Sequence, residues 1–475
     1  MAEVSARKRI WGWMAFDWAS QPYYTLGLTF IFGPYFADTV AQYLMGTGLD
    51  EKAADAQSQS IWSLGQMLAG FFIAITAPIL GAYADSTGRR MPWLILFSII
   101  YVIASWLLWY MVPDGSAWLF CLIAFLVGFV AAEFALIFTN AILPSLGSKE
   151  EIGKISGDGA ALGYWGGVVA LVIMLVFFFE LSEGKTLLGT DPALGLNGLE
   201  REGTRAVGPF IAIWFAVFMI PYFMFVREGR TPNRRGGMGQ ALGDLQVSLK
   251  NVVQRKSLLN FLLSSMFYRD ALNALYAFGG VYAALVLDWQ LMDIALFGII
   301  GAIMAAIGTT IAGRFDRRFG PKPVILFCIW SLIIVSATIV GMSFDNFYGI
   351  PFNPDPVFVG LPMLGDLYVP DVTLYVCGSV IGAAGGGIYS ASRSMMVRHT
   401  HPERPTEAFG LFALSGKATA FLAPGLIALF TWMLQDARLG FSPVIALFLL
   451  GLILLRWVQP EGDRAEWSKS SIPAP

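Results

Sequence analysis

The chain has 475 residues, of which 56% are hydrophobic and only 13% charged, with a mean hydropathy of +0.64. A soluble protein of this size carries about 25% charged residues, so the composition excludes an ordinary soluble class and points to lipid. The net charge of -2 argues against a nucleic-acid partner, and Cys121, Cys328 and Cys377, all in apolar runs, imply no disulfide framework.

Arg7-Lys8-Arg9 leads into an apolar run too long for a signal-peptide core and without a small-residue cleavage site, so this first run is expected to stay as an anchor. A membrane-crossing helix needs about 20 apolar residues. Twelve segments qualify: 11–37, 60–83, 92–112, 117–146, 155–180, 207–227, 257–287, 292–314, 323–343, 371–397, 406–435 and 440–458. Their hydrophobicity is continuous rather than alternating, which excludes membrane strands. The expected fold is therefore all-α and integral to the membrane, with twelve transmembrane helices. The basic loop 228–256 divides it into an N-terminal bundle, 1–227, and a C-terminal bundle, 257–475. Within that loop, 239–256 is amphipathic and reads as a linker with interfacial contact or a lipid-surface helix. The stretch 344–370 has five prolines and no Lys or Arg, and reads as an irregular outer cap. With the N-terminus inside, 23 Lys and Arg fall on inner segments and 5 on outer loops. By the positive-inside rule both termini are cytoplasmic.

The two halves align at an offset near 253. Asp17, Tyr23 and Gly27 fall on Asp270, Tyr276 and Gly280, while Gly157 and Gly163 fall on Gly410 and Gly416. The loop GAYADSTGRR (81–90) has a counterpart in GRFDRRFGPK (313–322), at an offset of about 231. In the first copy Gly81 and Gly88 permit a tight turn, Asp85 can pair with a base or cap a helix start, and Arg89 and Arg90 hold the loop inside. Asp316, Arg317 and Gly320 take those places in the second. An ordinary positive-inside turn and a conformational latch are both open readings. A duplicated six-helix unit suits alternating access around a central cavity.

Six ionisable residues fall within spans: Asp17, Glu133, Arg269, Asp270, Arg393 and Lys417. At 1.5 Å per residue, Arg269 and Asp270 lie roughly 20 Å into their helix, near the midplane. Facing lipid, six charges would cost on the order of 15–20 kcal/mol, so they must face protein or water. Helical spacing supports inward faces. Asp270 shares one with Asn273, Tyr276 and Ala277; Asp17 with Ser20, Gln21 and Tyr24; Glu133 with Asn140; Arg393 with Tyr389 and Ser390. Arg269 and Asp270 are about 100° apart around the helix, so each should find a different partner. Buried salt bridges that fix helix register are one reading, and snorkelling suits Arg393 and Asp17. The other is a polar substrate or proton pathway, with Asp17, Glu133 and Asp270 as proton carriers. His399 and His401 are expected in a cytoplasmic loop and outside that pathway.

The pattern Gly-xxx-Asp-xx-Gly-Arg-Arg resembles the signature loop of the major facilitator superfamily. The second copy departs from it by one extra residue between Asp316 and Gly320. WGWMAFDWASQPYYTLGLTFIFGPYF (11–36), FTNAILPSLGSKEEIGKISGDGAALGYWGG (138–167), FYRDALNALYAFGGVYA (267–283), SASRSMM (390–396) and FGLFALSGKATAFLAPGL (409–426) are similar to one branch of it. That branch is the vacuolar-effluxer-like permeases, bacterial and fungal relatives of an autophagy-linked vacuolar amino-acid exporter. The resemblance implies two pseudo-symmetric six-helix bundles and secondary transport, amino-acid efflux being the best-known activity. Departures from the branch are Ser20 after Ala19, and Arg269 and Ala271 flanking Asp270 where Asn and Gly are usual.

The expectation is thus a transporter of a small polar or zwitterionic solute working by alternating access, with protons as a candidate coupling ion. Arg269, Arg393 and Lys417 would meet a carboxylate, and Asp17, Glu133 and Asp270 an ammonium group or protons. Gln21, Tyr24, Asn140 and Asn273 are their polar neighbours. Export of amphiphilic or drug-like compounds, and a non-transporting receptor or scaffold, are the alternatives. No metal-ligand cluster and no histidine-based triad suggests an enzyme, and no cofactor is expected. The setting implied is a monomer in a bacterial inner membrane.

Overall fold

The structure is a computed structural model that describes residues 4–180, 184–227, 243, 250, 252–287, 289, 291–353, 355–361, 365–401, 404–419, 421–434 and 436–462. Most of the expected linker 228–256, with its amphipathic stretch, lies outside them. The chain is almost wholly helical, as an apolar sequence in lipid must be, because helices bond every backbone group internally.

The first span is not one helix. Helix α1 (Ala6–Pro22) passes into a π-helical segment, Tyr23–Phe30, and then into α2 (Phe32–Gly46). Pro22 has no N–H to give to Trp18 O four residues back. That carbonyl accepts the indole N–H of Trp214 instead, at 3.1 Å. Helix α3 (Glu51–Thr87) is capped by Asp50, which accepts from Ala53 N at 2.9 Å, and it ends on Gly88 at φ +64°. Then follow α4 (Met91–Leu107), α5 (Trp118–Asn140), α6 (Lys149–Phe177), α7 (Glu202–Arg205), α8 (Val207–Phe218) and α9 (Ile220–Phe225). Beyond the linker come α10 (Lys256–Leu287), α11 (Leu291–Phe319) and α12 (Pro321–Gly341). After the outer loop are α13 (Val369–His399), α14 (Pro405–Lys417), α15 (Leu422–Leu434), α16 (Ala437–Gly440) and α17 (Pro443–Leu455).

Among the described residues ten helical stretches are long and apolar enough to cross a membrane. They correspond to ten of the twelve expected spans. The other two, 11–37 and 257–287, are the α1–π–α2 assembly and the 32-residue α10. Three expectations need correction. Residues 344–370 are not simply irregular: β1 (Asn346–Phe347) pairs with β2 (Ile350–Pro351), and β3 (Phe358–Leu361) with β4 (Gly365–Leu367). The stretches 81–90 and 313–322 are mostly helix, because one left-handed glycine at each C-terminus, Gly88 or Gly320 (φ +84°), suffices to turn the chain. Span 406–435, counted above as one of the ten stretches, consists of two helices, α14 and α15.

The chain forms two compact units, residues 1–142 with 162–241, and residues 143–161 with 242–475. The first half of α6 thus groups with the second unit. In the first unit, aromatic rings fill the space between helices: Tyr23 stacks on Phe125 at 5.3 Å and Tyr101 on Phe215 at 4.0 Å. In the second, small residues bring α11 and α13 together, with Gly308 against Ala383 and Gly382 against Gly301. The internal repeat is visible in equivalent contacts. Tyr23 Oη lies over Gly128 in one unit, and Tyr276 Oη over Gly385 in the other. Away from that offset, Tyr35 Oη donates to Met111 O at 2.8 Å in the first unit, and Tyr282 Oη donates to Met342 O at 2.7 Å in the second.

Candidate functional site

In the first unit, Asp17 is buried on α1. Helix α6 reaches it through glycines: a Cβ on Gly163 would stand 3.0 Å from Asp17 O, and one on Gly166 2.8 Å from Trp18 O. Gly167 lies against Thr25 and Gln21. This close approach is what small residues permit in a membrane interior. It seats Asp17 and the half-buried Gln21 against α6. The π segment re-aims the helix after Pro22 and turns Tyr24 toward α5, where its hydroxyl donates to Glu133 Oε1 at 3.4 Å. Two of the expected site residues from separate helices thus meet, at the long limit of a hydrogen bond. Asn140 is buried at the last position of α5.

In the second unit, Arg269 and Asp270 point to different partners, as their angular separation requires, but both partners lie on the broken span. Arg269 Nη1 donates to Phe412 O on α14 at 3.1 Å. Its guanidinium lies 4.6 Å from the Phe412 ring centre and packs on Gly416. Asp270 Oδ2 accepts from Ala423 N in the first turn of α15 at 3.1 Å. Lys417 is half-buried at the last position of α14, where a cation complements the negative helix end. Asn273, Tyr276 and Ala277, on the Asp270 face, are exposed, so that face opens one turn beyond the carboxylate.

Arg393 does not snorkel. Its exposure is 0%, and the first half of α6 supplies its ligands. Nε donates to Ser156 Oγ at 3.1 Å and Nη2 to Ser156 O at 2.7 Å, with the guanidinium 5.0 Å from the Tyr389 ring centre. Ser156 Oγ in turn donates to Ser390 O at 2.9 Å. One residue further on, Gly157 meets Gly313, and three residues back, Gly153 meets Asp316. Gly157 was read in the sequence only as a repeat position, and Ser156 and Gly153 were missed, although the spacing in GKISGDG (153–159) is the signal that would have found them. His399 is also not in a loop. It ends α13, is buried, and its Nε2 lies 2.8 Å from Ser257 Oγ.

The two signature stretches differ. Asp85 pairs with Arg90 at 2.9 Å, beside the turn at Gly88, while Arg89 is exposed and Gly81 is buried within α3. Asp316 instead lies inside α11, 2% exposed, facing Ser394 and Arg398, and neither carboxylate oxygen is hydrogen-bonded among the described residues. The expected pairing or capping therefore holds for the first copy and not for the second. Arg317 is exposed and Gly320 forms the turn. A groove of about 700 Å³ lies between α4 and α8–α9, lined in part by Ser98, Phe215 and Arg227. None of the expected site residues lines it.

The comparisons with known proteins give one family by sequence and one fold by structure. A family profile described as "Vacuole effluxer Atg22 like" matches residues 5–467. An MFS-type transporter of Bacillus subtilis, YxiO, is 22% identical over 94% of this chain and 94% of its own length. Autophagy-related protein 22 of Cryptococcus neoformans is 24% identical over 67% of this chain, a match that spans only 55% of the fungal protein. Among solved structures, the human organic anion transporter MFSD10 superposes with a TM-score of 0.65 at 16% identity, covering 95% of this chain and 99% of that one. The E. coli fucose:proton symporter FucP gives 0.66 at 13% identity, covering 95% and 98%. At such identities the likeness establishes the major facilitator fold.

Proposed function

The chain belongs to the Atg22-like vacuole effluxer family, and on that premise we propose that it exports a small zwitterionic solute of the amino-acid type, with protons as the coupling ion. A secondary transporter of the major facilitator type needs polar groups in its interior that load and release a solute. The observation that carries the reading is the pair Asp17 and Asp270. Both are buried carboxylates in the first helix of their repeat. Arg269, Lys417 and Arg393 are the cations suited to a solute carboxylate. Glu133, held by Tyr24, is a further acid. Gln21, Asn140 and Asn273 supply neutral hydrogen bonds.

The Lys and Arg distribution supports cytoplasmic termini. Near-complete coverage of a bacterial relative supports a bacterial inner membrane, with the monomer as the working unit. A second reading, export of an amphiphile, is favoured only by the apolar groove beside α4. A thermal-shift screen of the purified protein against amino acids, sugars and amphiphiles separates the two. A solute at 100 times its Kd raises stability by about 2.7 kcal/mol. Stabilisation by amino acids supports the zwitterion reading, and stabilisation by amphiphiles alone overturns it.

A further inference from the structure

We propose that Asp270 is the charge-sensitive cap of a broken helix. Its Oδ1 takes up a proton or an ammonium group, and that uptake weakens the hold of Oδ2 on α15. The span expected to run unbroken over 406–435 stops at Lys417 and resumes at Leu422. Ala418 N donates to Leu414 O at 2.9 Å on one side of the gap, and Leu422 N donates to Thr419 O at 2.7 Å on the other. Pro424 falls in the first turn of the new helix, where its missing N–H costs nothing. The other first-turn N–H groups need acceptors from outside the helix. Ala423 N–H has one in Asp270 Oδ2 at 3.1 Å.

The second oxygen is what points to a ligand. Asp270 is 4% exposed, and its Oδ1 is buried with no hydrogen-bond partner among the described residues. A buried acceptor left unmatched is costly, and more so on a charged group. The group that fits carries positive charge: a proton, which bonds to Oδ1 and leaves the carboxyl neutral, or the ammonium group of the solute, which donates a hydrogen bond to it. The neighbouring charges are turned elsewhere. Arg269 is engaged with Phe412 O and its ring, and Lys417 sits at the far side of the gap on α14. From α13, Arg393 is directed to Ser156 while Ser392 is what meets α10, bonded to Tyr268 Oη at 2.8 Å. Helix α17 meets α10 through Gly451, whose carbonyl accepts from Ser264. Asp436 and Arg438 act on Tyr282, further along α10. On α11, Asp293 lies by Tyr375 and Asp316 against Gly153. On α12, Lys322 is bonded to the carbonyls of Arg456 and Val458.

The consequence follows from helix electrostatics. An anionic carboxylate at a helix N-terminus is held by the macrodipole and by a charge-assisted bond roughly twice as strong as a neutral one. Neutralising the carboxylate removes both effects without removing the acceptor. The first turn of α15 is then held less tightly. The solute arm of this inference rests on the transport reading above, and the proton arm does not.

The test is hydrogen exchange of the Leu422, Ala423 and Gly425 amides in the full-length protein in lipid nanodiscs, corrected for intrinsic pH dependence. In one arm the pH is lowered from about 8 to about 5 without solute. In the other, glycine is added at constant pH. Exchange at these amides is expected to rise on the order of tenfold in at least one arm, while amides of α4 stay unchanged. A response to acid alone identifies the proton, and a response to glycine alone identifies the ammonium group. Asp270→Asn, which keeps an acceptor but no charge, should exchange fast and respond to neither. No response of the wild-type protein in either arm overturns the proposal, whether or not the variant folds. A proton response with no glycine binding would sink the zwitterion reading and leave the cap standing.

Discussion

Arg393 carries a full charge with no exposed surface, and its partner Ser156 both accepts from its guanidinium and donates to Ser390 O. Ser156→Ala removes an acceptor for a buried cation, where hydrogen bonds to charged groups are worth about 1.5–3 kcal/mol. A fall in the unfolding temperature of the purified protein should report that loss, and an unchanged temperature would show that Arg393 is held by other groups. The glycines make a sharper pair. A Cβ on Gly157 would stand 2.6 Å from Gly313 Cα, which is backbone on both sides and cannot step aside. Gly157→Val should therefore destabilise by about 1–3 kcal/mol or more. Gly70, inside α3, has nothing within 4 Å of its would-be Cβ. There Gly70→Ala should raise stability by roughly 0.5–1 kcal/mol, because only the backbone entropy term remains. Thermal unfolding of the two variants side by side checks both signs.

The two interrupted spans are the elements in which hydropathy misled most. The run 11–37 is continuously apolar, so its hydropathy carries no mark of the π segment. Pro22 was a legible warning, but the indole that satisfies the freed Trp18 carbonyl comes from Trp214, far along the chain. The break after Lys417 is the same case, with Pro424 visible and Asp270 as its distant partner. Helix ends set by local chemistry were easier to read. The turn at Gly88 follows the glycine spacing, and of the two readings open for Asp85, pairing with a base or capping a helix start, the structure shows the first, with Arg90. Local caps also allow plain predictions. Asp50→Ala should cost about 1 kcal/mol and raise hydrogen exchange in the first turn of α3 only; no change there would show that the cap is idle. In the outer loop, the Ser343 hydroxyl holds the Asp345 carboxyl below its ordinary value. A depressed carboxyl contributes stability above its unfolded pKa and loses it as pH falls through the folded one. The β1–β2 hairpin should thus keep its protection from neutral pH down to the ordinary carboxylate range and lose it in stronger acid.

At the scale of the whole molecule, ten of the twelve expected spans were legible as membrane-length helices because bilayer thickness and backbone hydrogen bonding leave so few alternatives. The repeat was legible too, and the contact of Tyr23 with Gly128 in one unit recurs as that of Tyr276 with Gly385 in the other. What the sequence could not supply was pairing across long separations. Ser156 with Arg393, Tyr24 with Glu133 and Asp270 with Ala423 each join distant parts of the chain, and no local pattern encodes such a partner. The transport proposal gives these intramembrane charges one role, carriage of a zwitterion. Uptake of a radiolabelled neutral amino acid into proteoliposomes under an imposed pH gradient tests it most directly. Gradient-dependent flux is expected in the wild-type protein, with a loss of about tenfold or more in Asp270→Asn. Flux of unchanged rate and pH dependence in that variant, or no amino-acid flux in the wild-type protein, would contradict it.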